Sequence, residues 1–462
     1  MNLVKSVSLA FASLLLMSST LSAETKRPNI VFLLSDDQPL RAMGHIDPWF
    51  STPNMDQLAN EGVVFNNAFV ESAVCCVSRA SFMMGQYSAR HKVRSFDTPL
   101  SREQMAQSFP VLLRNAGYRT ALLGKYAVGH KRAAPEELCL PADQFDLFYA
   151  FQQSPSYVQD VDGKKTYLTT AMEDKAIRFM KETPKDQPFM VYMCLPEPHG
   201  QGGPGGPWNY RDPEFELAPP TTPPVEPKTM TKEAYNRLPL AIRKSSNSNA
   251  MGGYQQRYPK YMATVRDYIA RTDLAIGRMR QALKEIGRDE NTIIIFTSDH
   301  GTMWGAHGIA GKWNMYEESI RIPMMIFDPR NKKATSGSRD PMVLNIDVTA
   351  TILDLAGVPE PESMQGQSLL PLINDPDAKG RDAWYYNHNV HTRSKAKLPK
   401  CEGVRTERWK YIHYIDTDPV EEELFDLHAD PIEQNNLVGN PEYADVLTML
   451  RNRNEELRES AQ

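Results

Sequence analysis

The segment RPNIVFLLSDD, residues 27–37, decides how the rest of the chain is read. Five apolar residues, Ile30 to Leu34, run without interruption and end in Ser35, Asp36 and Asp37. A strand with one wet face alternates apolar and polar residues. An unbroken apolar run of this length belongs to a strand covered on both faces, as in a parallel sheet. The reading places Asp36 and Asp37 at the carboxyl end of such a strand.

The same grammar recurs on both sides. STPNMDQLANEG (51–62) predicts a helix with Thr52 as N-cap, Pro53 at the first helical position and Gly62 as the stop. FPVLLRNAG (109–117) reads as a helix closed by Gly117, and YRTALLGK (118–125) as a strand ending in Lys125. EDKAIRFMKE is helical, and QPFMVYMCL is a strand that ends just before His199. Residues 261–287 predict a long amphipathic helix with apolar residues at 262, 265, 269, 276, 279 and 283. NTIIIFTSDHG (291–301) is another buried strand, ending in Asp299 and His300. Alternating strands and helices predict an α/β fold with a large, mostly parallel sheet sandwiched by helices. The polar residues gather where strands end, the edge at which ligands bind in open α/β sheets.

Two regions break the pattern. Residues 196–228, with GQGGPGGPW and PPTTPPVEP, are dense in glycine and proline, and KSSNSNAMGG extends the irregular stretch towards 256. A long insertion beside a strand end predicts a loop that shapes a cleft. After about 375, short aromatic and β-branched runs predict a small antiparallel sheet closed by a last helix, EYADVLTMLRNRNEELRES. The expected organisation is a leader over 1–23, a catalytic domain over 24–374 and a smaller C-terminal α+β subdomain over 375–462.

Bulk properties narrow the classes. The chain has 462 residues, 52 Lys+Arg against 57 Asp+Glu, and a net charge of −5. Such a balance excludes broad nucleic-acid binding, and an anionic substrate needs a local positive pocket. Lys5, an apolar run from Val7 to Met17 and a small-residue site ending at Ala23 read as a secretory signal. The run is too short to span a bilayer, so the expectation is a periplasmic or secreted protein with no membrane segment after cleavage. The five cysteines, at 75, 76, 139, 194 and 401, are too few and of the wrong parity for a disulfide framework.

Strand-end acids often cap helices or face water. Here two pairs, Asp36 with Asp37 and Asp299 with His300, stand at equivalent strand ends, and clustered carboxylates call for a compensating cation. Three carboxylates and one further ligand suit Ca²⁺, or Mg²⁺. In ESAVCCVSRASFMMG (71–85), Cys75 opens a predicted helix, where the N-terminus favours anions and lowers a thiol pKa. Arg79 lies one turn on, facing the same side. A buried structural cysteine beside a surface arginine is the plain alternative. His91, just past this helix, is open between substrate contact and an ordinary surface role.

Cys75-Cys76-Val77-Ser78-Arg79 resembles the signature of the type I, formylglycine-dependent sulfatases, Cys-x-Pro-Ser-Arg followed by a short apolar helix. The double cysteine is similar to the glucosamine-6-sulfatase and heparan endosulfatase branches. The likeness extends through NIVFLLSDDQ, LLRNAGYRTALLGKY, LPEPHG, FTSDHG, AGKWNMYEESIRIPMMIFDP and ELFDLHADPIEQNNL, in that order. It implies an alkaline-phosphatase-like fold and conversion of Cys75, set by the arginine position, to formylglycine by a maturation enzyme. It also implies Ca²⁺ held by Asp36, Asp37, Asp299, His300 and the converted residue 75.

The implied chemistry is a hydrated aldehyde at residue 75 that attacks sulfur. Arg79, Lys125 and Lys312 hold the sulfate, His199 protonates the departing sugar oxygen, and the second hydroxyl lets the intermediate collapse. The implied substrate is a sulfated oligosaccharide or polysaccharide. The pattern departs from the family at Val77, where proline is usual, in MMGQY for Leu-Thr-Gly-Arg-Tyr, and at Ala127, where Gly-Lys-x-His has its histidine; His130 is the nearby substitute for substrate binding. Two other readings stand beside the sulfatase. One is a phosphodiesterase or phosphonate monoester hydrolase of the same superfamily. The other is a sulfated-glycan-binding protein in which Cys75 stays a thiol.

Overall fold

Strand Asn29–Ser35 is the centre of an eight-stranded sheet, buried along its whole length as its apolar run requires. The computed structural model describes residues 27–130, 134–153, 155–200, 212, 215–245, 253–331, 336–390 and 398–462. The leader reading of 1–23 and most of the glycine-rich stretch lie outside them. The sheet order is Gly337–Arg339, Val63–Phe65, Met324–Phe327, Thr292–Ser298, Asn29–Ser35, Phe189–Cys194, Arg119–Lys125, Leu147–Phe151. The run from Thr292–Ser298 to Leu147–Phe151 is parallel throughout. Met324–Phe327 is antiparallel to both its neighbours. The mostly parallel sheet expected from the sequence is what forms.

Alternation along the central strand divides the core. Ile30, Phe32 and Leu34 point to one face, with Phe82, Phe109, Ile352 and Leu353, so helices Cys75–Met84, Phe109–Asn115 and Asn345–Ala356 cover that side. Val31 and Leu33 point to the other face, with Met55, Met172, Ile276 and Met279, from helices Pro53–Glu61, Leu168–Glu182 and Gly253–Glu285. Each fully buried side chain of this kind contributes about 1.5–3 kcal/mol, which is why the run cannot be moved to an edge.

Two local expectations are corrected. Thr52 stands at the N-cap position of the first helix, as expected, but its side chain makes no capping bond; its hydroxyl accepts from the Gly44 N–H at 2.6 Å and faces Asp56. Asp273, on the long helix, caps instead, accepting from the Met55 N–H at 2.7 Å. The long helix also begins at Gly253 rather than 261 and runs through Pro259. Tyr258 and Met262 pack there against Trp49, Phe50 and Trp304, burial that outweighs the proline's lost hydrogen bond.

The described part of the insertion is not wholly irregular. It carries short helices Lys232–Arg237 and Leu240–Arg243, and the Leu240 and Ala241 N–H groups donate to Glu421 at 2.7 and 2.8 Å. The C-terminal region forms a four-stranded antiparallel sheet, Ala383–His388, Cys401–Thr406, Trp409–Tyr414 and Glu421–Asp426, with helix Ala444–Ser460 against it. One face of that sheet packs on the helix through Val404, Tyr411, Leu424 and Leu450. The other sends Trp384, Tyr386, Ile412 and Phe425 into the main core.

Gly124 shows how tightly the strands approach. Its φ is 90°, and an added Cβ would meet the Cys194 carbonyl oxygen at 2.0 Å. Gly124→Ala is expected to destabilise the protein by about 3 kcal/mol, through strain at a special backbone conformation. A thermal midpoint equal to that of the unmodified protein would refute this.

Candidate active site

The aligned register of three parallel strands builds the site. Ser35 pairs with Ser298, and Leu34 with Cys194, so their next residues leave the sheet at one level. Asp36 donates its N–H to the Glu197 carbonyl at 2.9 Å, and Asp299 donates to the Ser35 carbonyl at 3.0 Å. Asp37 turns at φ 69°, a conformation Asp tolerates better than most residues, and its N–H donates to Asp299 Oδ1 at 3.1 Å. The three carboxylates therefore converge.

Helix Cys75–Met84 brings the cysteine to them. Cys75 is its first residue, Val74 precedes it in extended conformation, and no side chain caps its first turn. The partial positive charge of that terminus faces the site. Cys75 Sγ lies 3.2 Å from His300 Nε2, 3.2 Å from Lys312 Nζ and 3.8 Å from Asp36 Oδ1. One turn on, Arg79 Nε donates to Asp299 Oδ2 at 2.9 Å, and its Nη1 to the Lys125 carbonyl at 2.6 Å. Lys125 donates to Asp36 and Lys312 to Asp37. His199 Nε2 stands 4.0 Å from Asp37, and its buried Nδ1 has no partner among the described residues.

The electrostatics follow from burial opposed by paired charge. Burial alone would raise the Asp36 carboxyl, but Lys125, His199, Arg79 and Lys312 hold it well below the usual carboxylate range. Asp37 is lowered likewise, chiefly by Lys312 against burial. Burial would raise the Cys75 thiol too, yet Lys125 and Lys312 bring it below its ordinary value. Its neighbour Cys76 packs among Val74, Val77 and Val390, and burial pushes that thiol strongly up. The two adjacent cysteines thus stand in opposite surroundings, Cys75 against the charged cluster and Cys76 in an apolar patch. Burial lowers His199 to about 4, assisted by Lys125; His300 rises to about 9 despite burial, because of Asp299.

The donor set fits a hard divalent cation. Asp36, Cys75, Asp299 and His300 bring one ligand atom each within 4.8 Å of one another, as do Asp36, Asp37, Cys75 and His199. Two buried carboxylates, Asp36 and Asp299, and the half-buried Asp37 offer oxygen donors, and the lysines on Asp36 and Asp37 show where positive charge is demanded.

Nine of the ten residues singled out from the sequence meet here: Asp36, Asp37, Cys75, Arg79, Lys125, His199, Asp299, His300 and Lys312. His130 is partly buried in the loop after strand Arg119–Lys125 and is in neither ligand cluster. His91 is not a surface group. It is buried behind the helix, 2.9 Å from Ser81, and burial drops its pKa to about 3. The sequence reading passed over Glu197, whose carbonyl orients Asp36 and whose buried carboxyl, pushed up to about 7, accepts from Thr169 at 2.6 Å. LPEPHG offered one signal, an acid next to a strand end. All five cysteines are buried and unpaired. Among the described residues no helix is long and apolar enough to cross a membrane.

Comparison with known proteins gives the site a context. The family described as Sulfatase matches residues 28–358, and the family described as N-sulphoglucosamine sulphohydrolase, C-terminal, matches 305–460. The chain is 32% identical to an N-acetylglucosamine-6-O-sulfatase of Bacteroides thetaiotaomicron, over 94% of this chain and 87% of that one. A solved structure of a protein in complex with its substrate D-glucosamine-2-N,6-O-disulfate superposes with a TM-score of 0.76 at 29% identity, covering 94% of this chain and 98% of that one. A phosphonate monoester hydrolase of Agrobacterium radiobacter has the same TM-score of 0.76 at 22% identity, covering 94% and 96%, and shares the fold.

Arg79 pairs with Asp299 at 2.9 Å and stands 3.7 Å from Asp36, so its loss strips Asp299 of its arginine and leaves Asp36 with Lys125. In chelator-treated protein, Arg79→Gln is expected to cost about 3 kcal/mol in denaturant unfolding, and adding Asp299→Asn to recover part of it. Strictly additive losses would sink the pairing.

Proposed function

Since the chain belongs to the sulfatase family, and is by that membership a sulfuric ester hydrolase, we propose that it removes sulfate from a sulfated carbohydrate through a formylglycine made from Cys75. The observation that carries this reading is the surroundings of one sulfur atom. Cys75 Sγ sits at a helix N-terminus with Lys312 and His300 each at 3.2 Å, and with Lys125 and Arg79 around the same carboxylates. Two of the proteins named above, whose printed names carry 6-O-sulfated glucosamines, support a hexosamine sulfate as the first substrate to try.

Asp36, Asp37, Asp299 and His300 would hold the calcium ion. When bound, it supplies positive charge that favours the deprotonated form of a neighbouring hydroxyl. A hydrated aldehyde at residue 75 offers both an attacking hydroxyl and a second one whose deprotonation expels sulfate, a step serine or cysteine cannot perform. Lys125, Lys312 and Arg79 bind the sulfate oxygens and offset charge that builds on them in the transition state. His199 carries the proton for the departing sugar oxygen. The imidazole is held neutral without substrate, and a sulfate ester beside it raises its proton affinity. An exported enzyme matured by a formylglycine-generating partner completes the reading.

Three measurements test it. Mass spectrometry of the peptide spanning Cys75, from protein co-produced with a maturation enzyme, should show an aldehyde; an unmodified thiol in a protein that binds sulfated sugars tightly would favour the glycan-binding reading. His199→Gln should lower kcat about 10²–10⁴-fold, as expected for a lost general acid. Asp299→Asn should abolish calcium binding in titration calorimetry, and undiminished binding would remove Asp299 from the ligand set.

A further inference from the structure

Trp313 follows Lys312 directly, and nothing in the chemistry above uses it. Its ring is partly buried against Val74, Cys76, Val77 and Val390, on an apolar patch that Phe96 also joins. The Lys312 ammonium bridges the ring to the reacting centre. Lys312 Nζ stands 5.8 Å from the ring centroid and 3.2 Å from Cys75 Sγ, so the indole lies within about 9 Å of the sulfur. Its backbone has φ 76°, a conformation that bulky residues rarely adopt and that is retained where a side chain has to be aimed. Its ring N–H makes no hydrogen bond to any described residue, although such groups usually find a partner.

A sulfate ester held by Arg79, Lys125 and Lys312 projects its sugar away from residue 75. The ring begins a couple of bonds beyond the ester sulfur, within the reach of the indole. The charged groups recognise sulfate whatever carries it, so selection of the carrier falls to the apolar wall. A partly exposed aromatic face with a free donor matches a pyranose, which presents an apolar C–H face and polar hydroxyls at its edge. We propose that Trp313, with Phe96 on the same patch, is the wall on which the sugar ring of the substrate lies, making Trp313 a specificity-determining residue for a sulfated sugar over sulfate alone. The inference rests on the sulfated-carbohydrate reading and names the residue that discriminates within it.

The test compares two probes on matured protein: glucosamine 6-sulfate as substrate and inorganic sulfate as competitive inhibitor. Trp313→Leu keeps apolar bulk against Val77 but removes the aromatic face and the N–H. It should raise KM for the sugar about tenfold with kcat little changed, the pattern of a lost binding contact, while the inhibition constant of inorganic sulfate stays within about twofold of wild type. Trp313→Phe, which keeps an aromatic face, should recover most of the sugar affinity. Parallel weakening of sugar and sulfate in Trp313→Leu would assign Trp313 to packing and overturn the proposal. So would an unchanged KM. Wild-type protein that hydrolyses no sulfated sugar, yet is matured at residue 75, would overturn the carbohydrate reading, and this inference with it.

Discussion

Three carboxylates, Asp36, Asp37 and Asp299, are forced together at one edge of a sheet, and everything around them answers that concentration of negative charge. Buried carboxylates so close cannot all stay ionised without compensation. Arg79, Lys125 and Lys312 supply it from three separate elements, and each contacts one of the acids. The same positive charges that make the acids tolerable also make the space beside Cys75 suited to a tetrahedral anion. On the reading proposed above, stability of the site and affinity for sulfate draw on one set of groups.

That arrangement depends on parts of the chain far from each other. The central strand fixes Asp36 and Asp37, and the helix opening at Cys75 is buried along all ten of its residues, so it has one way to lie. The C-terminal sheet is not an appendage. Tyr386 donates to the Asn314 carbonyl at 3.2 Å, steadying the loop that carries Lys312. Lys410 is fully buried, donating to Glu433 at 2.5 Å and lying 2.8 Å from Glu317. An ion cluster of this kind, inside the contact between the sheet and the active-site loop, fixes their relative position, because breaking it would leave a charge buried and unpaired.

Much of this was legible in advance because it rests on periodicity and on chemistry that few residues can perform. The unbroken run Ile30–Leu34 meant a strand covered on both faces, and the six apolar positions of the long helix are all buried. What misled was local grammar. Thr52 has the right residue type for a cap, but a carboxylate 221 residues later in the sequence, Asp273, reaches the helix end first. The surface reading of His91 failed because a sequence does not reveal that the turn after the Cys75 helix folds back beneath it.

Residue identity and spacing by themselves determined the α/β architecture and the strand-end acids, and the order of the motifs carried the resemblance to the family and, through it, the expectation for Cys75 over Cys76. Those features are encoded within short segments, where burial on both faces, turn chemistry and motif order leave few alternatives. Tertiary structure alone decided which cation faces which carboxylate, that Glu197 orients Asp36, that His130 is in neither ligand cluster, and that Lys312 stands between Cys75 and the Trp313 ring. These depend on sheet register and on helix placement between residues hundreds of positions apart, distances over which sequence pattern carries no geometry.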